Sequence, residues 1–413
     1  MEQRIGWPRL VERAFWRNFG LDLTAAAGVG VTLALVGSIL PSVARKSGLD
    51  PIGLAALAAT PFLANLLSGF AGRIGPQSHH QTGLIRAAGA GVLGVLLVTD
   101  APPVLVLAAL GYWLSLSLSA PFQLRLWGAM YPPRMRGRVV GAVGTGRAAA
   151  AAIAALVAGV LADRLGGTTV IAVAALIGVA TAAAYAGLRV PPTAPPTRFS
   201  PREAVRILQE RPVLRRIVLA QGFYGGGLIA AAPLFALVYI DRLGMTLTEV
   251  GIAGILAAGA TTVSYYAWGA AADRFGPIVP LRAGSLLGLL SLLAVAFTPT
   301  VLILWPATIL AGAASAAIDL GINTTISDET DLRDRAGALA GWNTLTGARG
   351  LAAPFVAAGL VQLGILGVTG ALVACAAVAA MGVVMFVRVQ GAREGRLTTD
   401  TTVVVLAPAR QAG

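Results

Sequence analysis

The sequence predicts an all-α membrane protein with twelve transmembrane helices in two pseudo-symmetric six-helix halves. Three observations predict this fold: the composition, the number of long apolar runs and an internal repeat. Apolar residues make up 56% of the 413 positions and charged residues only 12%, and the mean hydropathy is +0.78. A chain of this composition cannot cover itself with a polar surface, so we expect a lipid bilayer to surround it.

Twelve apolar runs approach the length that crosses a bilayer, which is roughly 20 residues of helix. They cover residues 19–41, 52–71, 83–99, 103–127, 138–162, 168–188, 216–239, 249–271, 282–298, 301–325, 336–361 and 365–387. Between the sixth and seventh runs, residues 189–215 are polar and rich in proline. This segment predicts a cytoplasmic linker with a short helix from Pro201 to about Gln209. It separates an N-terminal half, 19–188, from a C-terminal half, 216–388.

Two polar segments flank the halves. In residues 1–18, Arg9, Arg13 and Arg17 recur every four residues beside apolar side chains. This spacing predicts an amphipathic cytoplasmic helix at the membrane surface, with a frayed basic tail as the alternative. Residues 389–413 are expected to form a cytoplasmic tail.

The two halves repeat one another at an offset of about 200 residues. Thr145-Gly146-Arg147 corresponds to Thr346-Gly347-Ala348-Arg349, and the basic turn Arg134-Met135-Arg136 to Arg333-Asp334-Arg335. Parallel repeats of six helices occur in secondary transporters. The repeat therefore favours transport as the function.

The basic residues indicate the orientation. The net charge of +13 comes almost entirely from arginine, and the arginines are scattered between apolar runs, which does not favour a nucleic-acid surface. With a cytoplasmic N-terminus, 24 of the 31 basic residues lie on the cytoplasmic side and only Arg45, Lys46, Arg164 and Arg242 lie outside. Cytoplasmic loops are enriched in arginine and lysine, so we expect both termini in the cytoplasm. High arginine and alanine usage suggests a bacterial cytoplasmic membrane.

The loop from Trp268 to Gly284 contains the most specific motif, which consists of Gly269, Asp273, Arg274, Gly276 and Pro277. The motif resembles the signature that follows the second and eighth helices of major facilitator superfamily transporters. A weaker copy, Arg73-Ile74-Gly75-Pro76, has Gly72 in place of the acidic residue. The resemblance implies alternating access by rocking of the halves. Asp273 is then expected to gate the cytoplasmic side by pairing with Arg333 or Arg335.

Polar side chains mark the predicted pathway. Ser115, Ser119 and Gln123 recur every four residues in the fourth run, and the tenth run repeats this spacing with Ser315, Asp319 and Asn323. Each triplet lies on one stripe of a helix. The resemblance implies that the first, fourth, seventh and tenth helices surround the cavity, although each serine alone more often bonds to its own helix. The seventh run adds Gln221, Tyr224 and the glycine run 225–227, which favours helix packing or a local break.

Asp319 and Arg349 are predicted to form a coupling pair. Each lies fifteen residues from Asp334, so two antiparallel helices place them at similar depth. A charge in the bilayer strongly favours an opposite partner, although such a pair is also compatible with a purely structural role. Arg147 is the symmetric arginine, free to bind an anionic substrate or to share Asp319.

The predicted function is secondary active transport of a small solute by a monomer, coupled to protons because Asp319 is the sole acidic residue well inside a run. Export is favoured over uptake. An uncoupled facilitator, an uptake permease and a non-transporting sensor or scaffold are the alternatives. No nucleophile–base constellation predicts an enzyme, and we expect no cofactor. The single cysteine, Cys375, and the isolated pair His79–His80 predict no metal site.

Overall fold

A computed structural model describes residues 9–68, 76, 78–190, 201–331 and 334–389. Gly72 to Gly75 of the first copy of the loop motif, Arg333 and the predicted cytoplasmic tail after Val389 lie outside the described residues. No strand occurs in the described ranges.

In the described ranges, twelve helical spans follow one another in the order that the sequence predicts. In chain order they are Arg9–Ala34, Pro51–Ser68, His79–Val92, Pro102–Met130, Pro133–Leu165, Gly167–Ala182, Pro212–Ala236, Leu247–Phe275, Ile278–Phe297, Val301–Glu329, Arg335–Gln362 and Val368–Arg388, and we refer to them as spans 1 to 12. Ten of the helices in the described ranges are long and apolar enough to cross a membrane. The other two are span 2 and span 3, which passes into a 3₁₀ turn at Leu93–Leu97. The predicted all-α, two-half fold is confirmed.

The N-terminal segment does not form a separate surface helix in its described part. Span 1 begins at Arg9 and continues without a break to Ala34, so the predicted amphipathic segment extends the first transmembrane helix. Further along the chain, a linker helix occupies Pro201–Glu210. It packs against span 11, where the Cα of Gly341 lies too close to the Ala204 carbonyl oxygen to leave room for a side chain.

The end of the linker is anchored to the C-terminal half. Arg211 donates to the carbonyl oxygen of Glu329 at 2.7 Å and to the carboxylate of Asp334 at 3.1 Å. A longer contact of 3.5 Å reaches the Asp331 carboxylate. These residues lie at the turn between spans 10 and 11, so the linker helix is attached to that turn at its C-terminal end.

Spans 1 and 7 share a local irregularity. A π-helical turn follows the α-helix in both, at Leu35–Ile39 in span 1 and at Leu237–Arg242 in span 7. In span 1 the helix then resumes as Leu40–Lys46. Single π-helical turns inside α-helices often occur at functional sites. Both turns contribute residues to the cavity described below.

Glycines allow the two halves to pack closely. The backbones of spans 5 and 8 cross where Gly251 faces the Ala155 carbonyl oxygen, which a Cβ at Gly251 would approach to 2.4 Å. Spans 2 and 11 cross where Gly350 faces the ring of Phe62. Small residues at such crossings permit close packing of helices in a bilayer. The space between the halves is therefore bounded by these two crossings.

Candidate transport pathway

An apolar chamber lies between the halves. It encloses about 420 Å³ and is lined by spans 1, 2, 4, 7, 8, 9 and 10. Its wall combines the rings of Phe62, Trp113 and Tyr239 with the hydroxyl groups of Ser38 and Thr308. No charged side chain of the described residues lines it. A wall of this kind suits a largely apolar molecule and offers a few hydrogen bonds for orientation.

One end of the chamber is closed by an ion pair between the halves. Arg45, after the π-helical turn of span 1, contacts Asp241 in the corresponding turn of span 7, with Nη2 and Oδ2 2.7 Å apart. Nε of Arg45 lies 2.9 Å from both oxygens of the same carboxylate. A charge-assisted fork of this type has a defined geometry. We call this end the closed side, and the end that contains the linker helix the linker side.

A second contact at the closed side joins span 5 to span 8. The Asp163 carboxylate accepts from the amide of Leu247 at 2.9 Å and from the amide and hydroxyl of Thr248 at 2.8 and 2.6 Å. Amides in the first turn of a helix have no carbonyl partner within it, and the helix dipole favours a negative charge there. Asp163 therefore caps a helix of the opposite half and ties the two halves together.

The predicted polar stripe of span 10 is exposed and continues the helix face that lines the chamber. Ser315, Asp319 and Asn323 are exposed, and Ala311, one turn before Ser315, lines the chamber. The Asp319 carboxylate accepts a hydrogen bond of 3.3 Å from the Tyr265 hydroxyl of span 8. The Asn323 side chain donates to the Asp319 carbonyl oxygen at 2.8 Å. A polar wall thus continues the chamber toward the linker side.

The predicted symmetric arginine, Arg147, lies on span 5 in the other half. Its side chain is exposed, and none of the described residues makes a hydrogen bond or an ion pair with its guanidinium. Among the described residues, Arg147 of the N-terminal half therefore has no partner, whereas the Asp319 carboxylate of the C-terminal half has the Tyr265 hydroxyl as a donor.

Arg349 has partners other than the predicted one. Nη1 donates to the Gln221 carbonyl oxygen at 2.6 Å, and Nη2 lies 3.4 Å from the Thr346 hydroxyl. Nε of Arg349 and the side-chain oxygen of Gln221 are buried without a hydrogen-bond partner among the described residues. The predicted contact between Asp319 and Arg349 is absent. Similar depth did not bring them together because span 11 packs against spans 2 and 7, whereas span 10 packs against spans 8 and 9.

The stripe of span 4 does not line the pathway. Ser115, Ser119 and Gln123 are all buried. The Ser115 hydroxyl donates to the Tyr112 carbonyl oxygen at 2.7 Å, and the Ser119 hydroxyl donates to the Ser115 carbonyl oxygen at 2.6 Å. Both serines bond to their own helix, as isolated helical serines commonly do. Their predicted role in the pathway is therefore wrong in this structure.

The physical reason is an error of one residue in the repeat. Span 4 covers Pro102–Met130 and span 10 covers Val301–Glu329, so both ends correspond at an offset of 199, from 102 to 301 and from 130 to 329. Ser119 then corresponds to Ile318, which is buried, and not to Asp319. One residue along an α-helix turns the side chain by about 100°. Two stripes with identical spacing therefore face different surroundings.

The buried stripe of span 4 serves a carboxylate that the sequence interpretation missed. Asp22 of span 1 is 1% exposed and accepts from Nε2 of Gln123 at 3.1 Å, Nε1 of Trp127 at 2.8 Å and the Tyr131 hydroxyl at 3.0 Å. The three donors recur every four residues. Hydrogen-bond donors thus continue the stripe that begins at Ser115. This pattern in the sequence could have indicated a buried acceptor.

The same network extends to spans 3 and 6. The Tyr185 hydroxyl donates to the side-chain oxygen of Gln123, and Nη1 of Arg86 donates to the Tyr185 hydroxyl at 2.6 Å. Four spans of the N-terminal half are thus connected through buried polar groups. Networks in which the members have partners hold a core in one arrangement.

Tyr224 also lies away from the pathway. It is 2% exposed, and its hydroxyl lies 3.5 Å from the Gly284 carbonyl oxygen of span 9, inside the C-terminal half. In the glycine run of span 7, a Cβ at Gly227 would lie 2.4 Å from the Cys375 carbonyl oxygen of span 12. A Cβ at Gly225 would lie 3.0 Å from Nη2 of Arg349. The glycines therefore serve close packing and leave room for the arginine.

The loop motif lies at the linker side. Gly276 ends span 8 with a φ of 89°, a conformation that favours glycine, whereas Gly269 lies inside the helix. Asp273 is exposed, and Arg274 places its guanidinium 5.1 Å from the Phe275 ring centroid.

The predicted partners of Asp273 do not contact it in the described part of the chain. Nη2 of Arg335 donates to the Ser327 carbonyl oxygen at 2.8 Å instead, and Arg333 lies outside the described residues. The ion pair between Asp273 and Arg335 is therefore absent from this conformation. The gating role of Asp273 stays a prediction.

The fold and the cavity define a class: a multi-pass membrane protein with two six-helix halves around a shared pathway. A sequence profile of the Major Facilitator Superfamily matches residues 23–305 and 217–408. The chain belongs to this superfamily, whose members carry small molecules through a lipid bilayer by alternating access. A search of curated protein sequences finds no match.

Solved structures of several transporters share the fold. A variant of the nucleoside transporter NupG superposes with a TM-score of 0.72 at 14% identity, over 89% of this chain and 99% of that chain. A bacterial homologue of the human lysosomal transporter Spinster, inward-facing and occupied, gives 0.68 at 14% identity over 98% and 100%. The human organic anion transporter MFSD10 gives 0.64 at 12% identity over 90% and 99%. At such identities the likeness concerns the fold.

Proposed function

We propose that this protein is a proton-coupled secondary transporter that exports a small solute across a bacterial cytoplasmic membrane as a monomer, with the linker side in the cytoplasm. The observation that carries the proposal is the position of Asp319. Its side chain is exposed two turns beyond the chamber residue Ala311 on the same face of span 10, and the Tyr265 hydroxyl is its hydrogen-bond donor among the described residues. A carboxylate in this position can gain a proton and lose it again.

Protonation of Asp319 couples to closure of the cavity. An ionised carboxylate is accommodated while water fills the space between the halves, but burying it in a closed state costs about 3 kcal/mol on insertion scales. A proton removes this charge and favours closure. In export, Asp319 carries one proton into the cytoplasm for each solute molecule that leaves. The proton and the solute do not occupy the shared wall at the same time.

The contacts at the closed side support the assigned orientation of the cycle. Asp163 and the Arg45–Asp241 pair hold the outer side shut, while the stripe of span 10 is exposed toward the linker side. Arginine and lysine predominate in cytoplasmic segments, and this bias supports a cytoplasmic position for the linker side. In a Cys375→Ala background, Ser47→Cys is expected to react with an impermeant thiol reagent from outside the cell and Asp328→Cys only from inside. The reverse labelling would reject this orientation.

Transport is tested in proteoliposomes with a solute panel that includes nucleosides and organic anions, which the names of the structural relatives suggest. Gradient-driven flux is compared with solute exchange at equal pH. Asp319→Asn is expected to lose gradient-driven flux and to retain exchange, since the neutral amide imitates the protonated acid. Asp328→Asn, at the end of the same span, is the matched control and is expected to retain both. Full gradient-driven flux through Asp319→Asn would eliminate the proposed proton site.

The same assay separates the remaining alternatives. Flux that does not respond to the pH gradient in the wild-type protein would identify an uncoupled facilitator. Accumulation of solute with the proton gradient, instead of against it, would identify an uptake permease. The absence of flux across the whole panel, in protein that melts cooperatively, favours a sensor or scaffold.

A further inference from the structure

The hydroxyl groups of the chamber wall offer mainly hydrogen-bond acceptors. Three of them donate their hydrogen to a backbone carbonyl oxygen, at 2.7 Å for Thr60 and at 2.8 Å for both Ser291 and Thr308. A hydroxyl that donates its hydrogen keeps its lone pairs. In this arrangement, the three groups can accept a hydrogen bond from a ligand but have no hydrogen left to donate to it.

Two of these acceptors lie close together in the C-terminal half. Ser291 of span 9 donates to the carbonyl oxygen of Ala307 in span 10, and Ala307 is the residue before Thr308. The side chains of Ser291 and Thr308 are both buried. A ligand that fills the chamber removes their remaining contact with water, and a polar atom left without a partner in such a place destabilises the complex. The Ser291–Thr308 pair therefore favours a ligand that carries a hydrogen-bond donor.

Other groups of the wall can still donate. The hydroxyls of Ser38 and Tyr239 line the chamber, and neither makes a hydrogen bond with another described residue. Each of them can donate or accept. A hydroxyl group on the ligand matches both kinds of wall group, because it carries one donor together with lone pairs. An ether oxygen carries lone pairs alone.

The apolar part of the wall is aromatic. Phe62 of span 2 and Trp113 of span 4 line the chamber from the N-terminal half. The Phe62 ring packs against Gly350 of span 11 so closely that a Cβ at Gly350 would overlap it, which holds the ring in position. Aromatic rings pair favourably with one another in offset-stacked or edge-to-face arrangements. This wall therefore favours a ligand with an aromatic ring.

The chamber supplies no charge that could neutralise a ligand. No charged side chain of the described residues lines it, and Asp319 follows the chamber residue Ala311 by two helical turns, about 11 Å along span 10. A charged group in the chamber would lose its water without gaining a counter-ion. Asp319 is ionised in the solute-loaded step of export, and an uncharged ligand in the chamber leaves its carboxylate exposed.

We propose that the exported solute is a small, uncharged, hydroxylated aromatic molecule that lies against Phe62 and Trp113 and donates its hydroxyl hydrogen to the Ser291–Thr308 pair. The chamber volume of about 420 Å³ is within the range of pockets that hold small organic ligands. This inference rests on the proposed function only in taking the chamber as the place where the solute binds. It assigns Ser291 and Thr308 as the residues that select the hydroxyl group.

Four probes with one apolar body test the proposal: 2-naphthol, its methyl ether 2-methoxynaphthalene, 2-naphthoate and 2-naphthylmethylammonium. Their binding to the purified full-length protein is measured by equilibrium dialysis against the same detergent at neutral pH, without any pH gradient. We expect 2-naphthol to bind about fivefold more tightly than its ether, which is the contribution of one neutral hydrogen bond. We expect it to bind at least about tenfold more tightly than either ion, because an ion is desolvated without a counter-ion.

Variants locate the binding. Ala257→Leu places additional volume in the chamber and is expected to weaken 2-naphthol and its ether by a similar factor. The double substitution Ser291→Ala and Thr308→Val removes both acceptors and is expected to abolish the preference for 2-naphthol over the ether, whereas Thr308→Ser is expected to keep it. Thr325→Val is the matched control, because Thr325 is a buried threonine of span 10 that bonds to its own helix and does not line the chamber. It is expected to change neither affinity.

The outcomes separate this proposal from the proposed function, once thermal melting has established that each variant is folded. Equal binding of 2-naphthol and its ether, tighter binding of either ion, an unchanged preference in the double variant, or no binding of any probe to the wild-type protein would each overturn the substrate class. Asp319→Asn is expected to bind 2-naphthol as the wild-type protein does. Full gradient-driven flux in Asp319→Asn with an intact preference for 2-naphthol would remove the proton site and leave the chamber assignment in place.

Discussion

Spans 4 and 10 are related by the repeat, yet the chemistry of their exposed faces differs. At an offset of 199, Asp319 corresponds to Ala120 and Asn323 to Leu124, and all four are exposed. The polar stripe of span 4 is turned inward, toward Asp22. Span 4 therefore uses its polar stripe to stabilise its own half, whereas span 10 exposes its polar stripe. Duplication preserved the helices and divided the two roles.

The largest expected effect is the difference in thermal stability between variants that lack Asp22 and variants that lack Asp319. Asp22→Ala leaves the donors of Gln123, Trp127 and Tyr131 buried without their acceptor, and each such loss costs about 1–3 kcal/mol before relaxation. The melting temperature is expected to fall strongly or the folded protein to be lost. Asp319→Ala removes an exposed side chain and is expected to leave the melting temperature nearly unchanged. Thermal melting in detergent measures both, and similar shifts would break the division of roles.

A cysteine scan sharpens the comparison at single-residue resolution. In a Cys375→Ala background, Ala120→Cys is expected to react with a water-soluble maleimide at least tenfold faster than Ser119→Cys, because Ser119 is 0% exposed and Ala120 is exposed. Ser315→Cys is the matched position in the other half and is expected to react readily. The rates are read by gel shift against unfolded protein. Faster labelling at position 119 would restore the register of 200 residues and contradict the offset of 199.

The sequence was sufficient for the fold, and it drew attention to the exposed carboxylate of span 10. Apolar runs and polar linkers predict the twelve spans because a bilayer leaves helices as the simplest way to satisfy the backbone. The expectation that Asp319 is not surrounded by lipid followed from a charge that lipid does not tolerate. Both inferences use local properties of single helices.

The contacts between helices could not be predicted in the same way. Asp319 and Arg349 lie at similar depth on consecutive spans, but depth does not determine which helices are neighbours, and spans 10 and 11 pack against different partners. The misplacement of Ser119 came from one residue of offset, which a gapless comparison of two apolar helices cannot resolve. Asp22 lies at the polar beginning of its apolar run, where the sequence alone gives no reason to single out a carboxylate. Its role follows only from the positions of its donors in the structure.

The smallest expected effects come from the paired serines, and they test the comparison without any change of charge. The Ser119 hydroxyl donates to a carbonyl oxygen of its own helix, so replacement by alanine removes a bond that the helix does not need. Ser119→Ala is expected to change the free energy of unfolding by less than about 0.5 kcal/mol and to leave flux unchanged. Ser315 is exposed on the pathway wall one turn from the chamber, and Ser315→Ala is expected to be equally neutral in stability. Its effect falls on substrate binding instead: loss of one neutral hydrogen bond of about 1 kcal/mol raises the substrate concentration for half-maximal flux about fivefold.

Thermal melting and concentration-dependent flux are measured on both variants. A flux defect in Ser119→Ala with normal flux in Ser315→Ala would show that the stripe of span 4 lines the pathway. Both substitutions remove one hydroxyl group from a helix. Their different effects would therefore report which of the two hydroxyls faces the cavity.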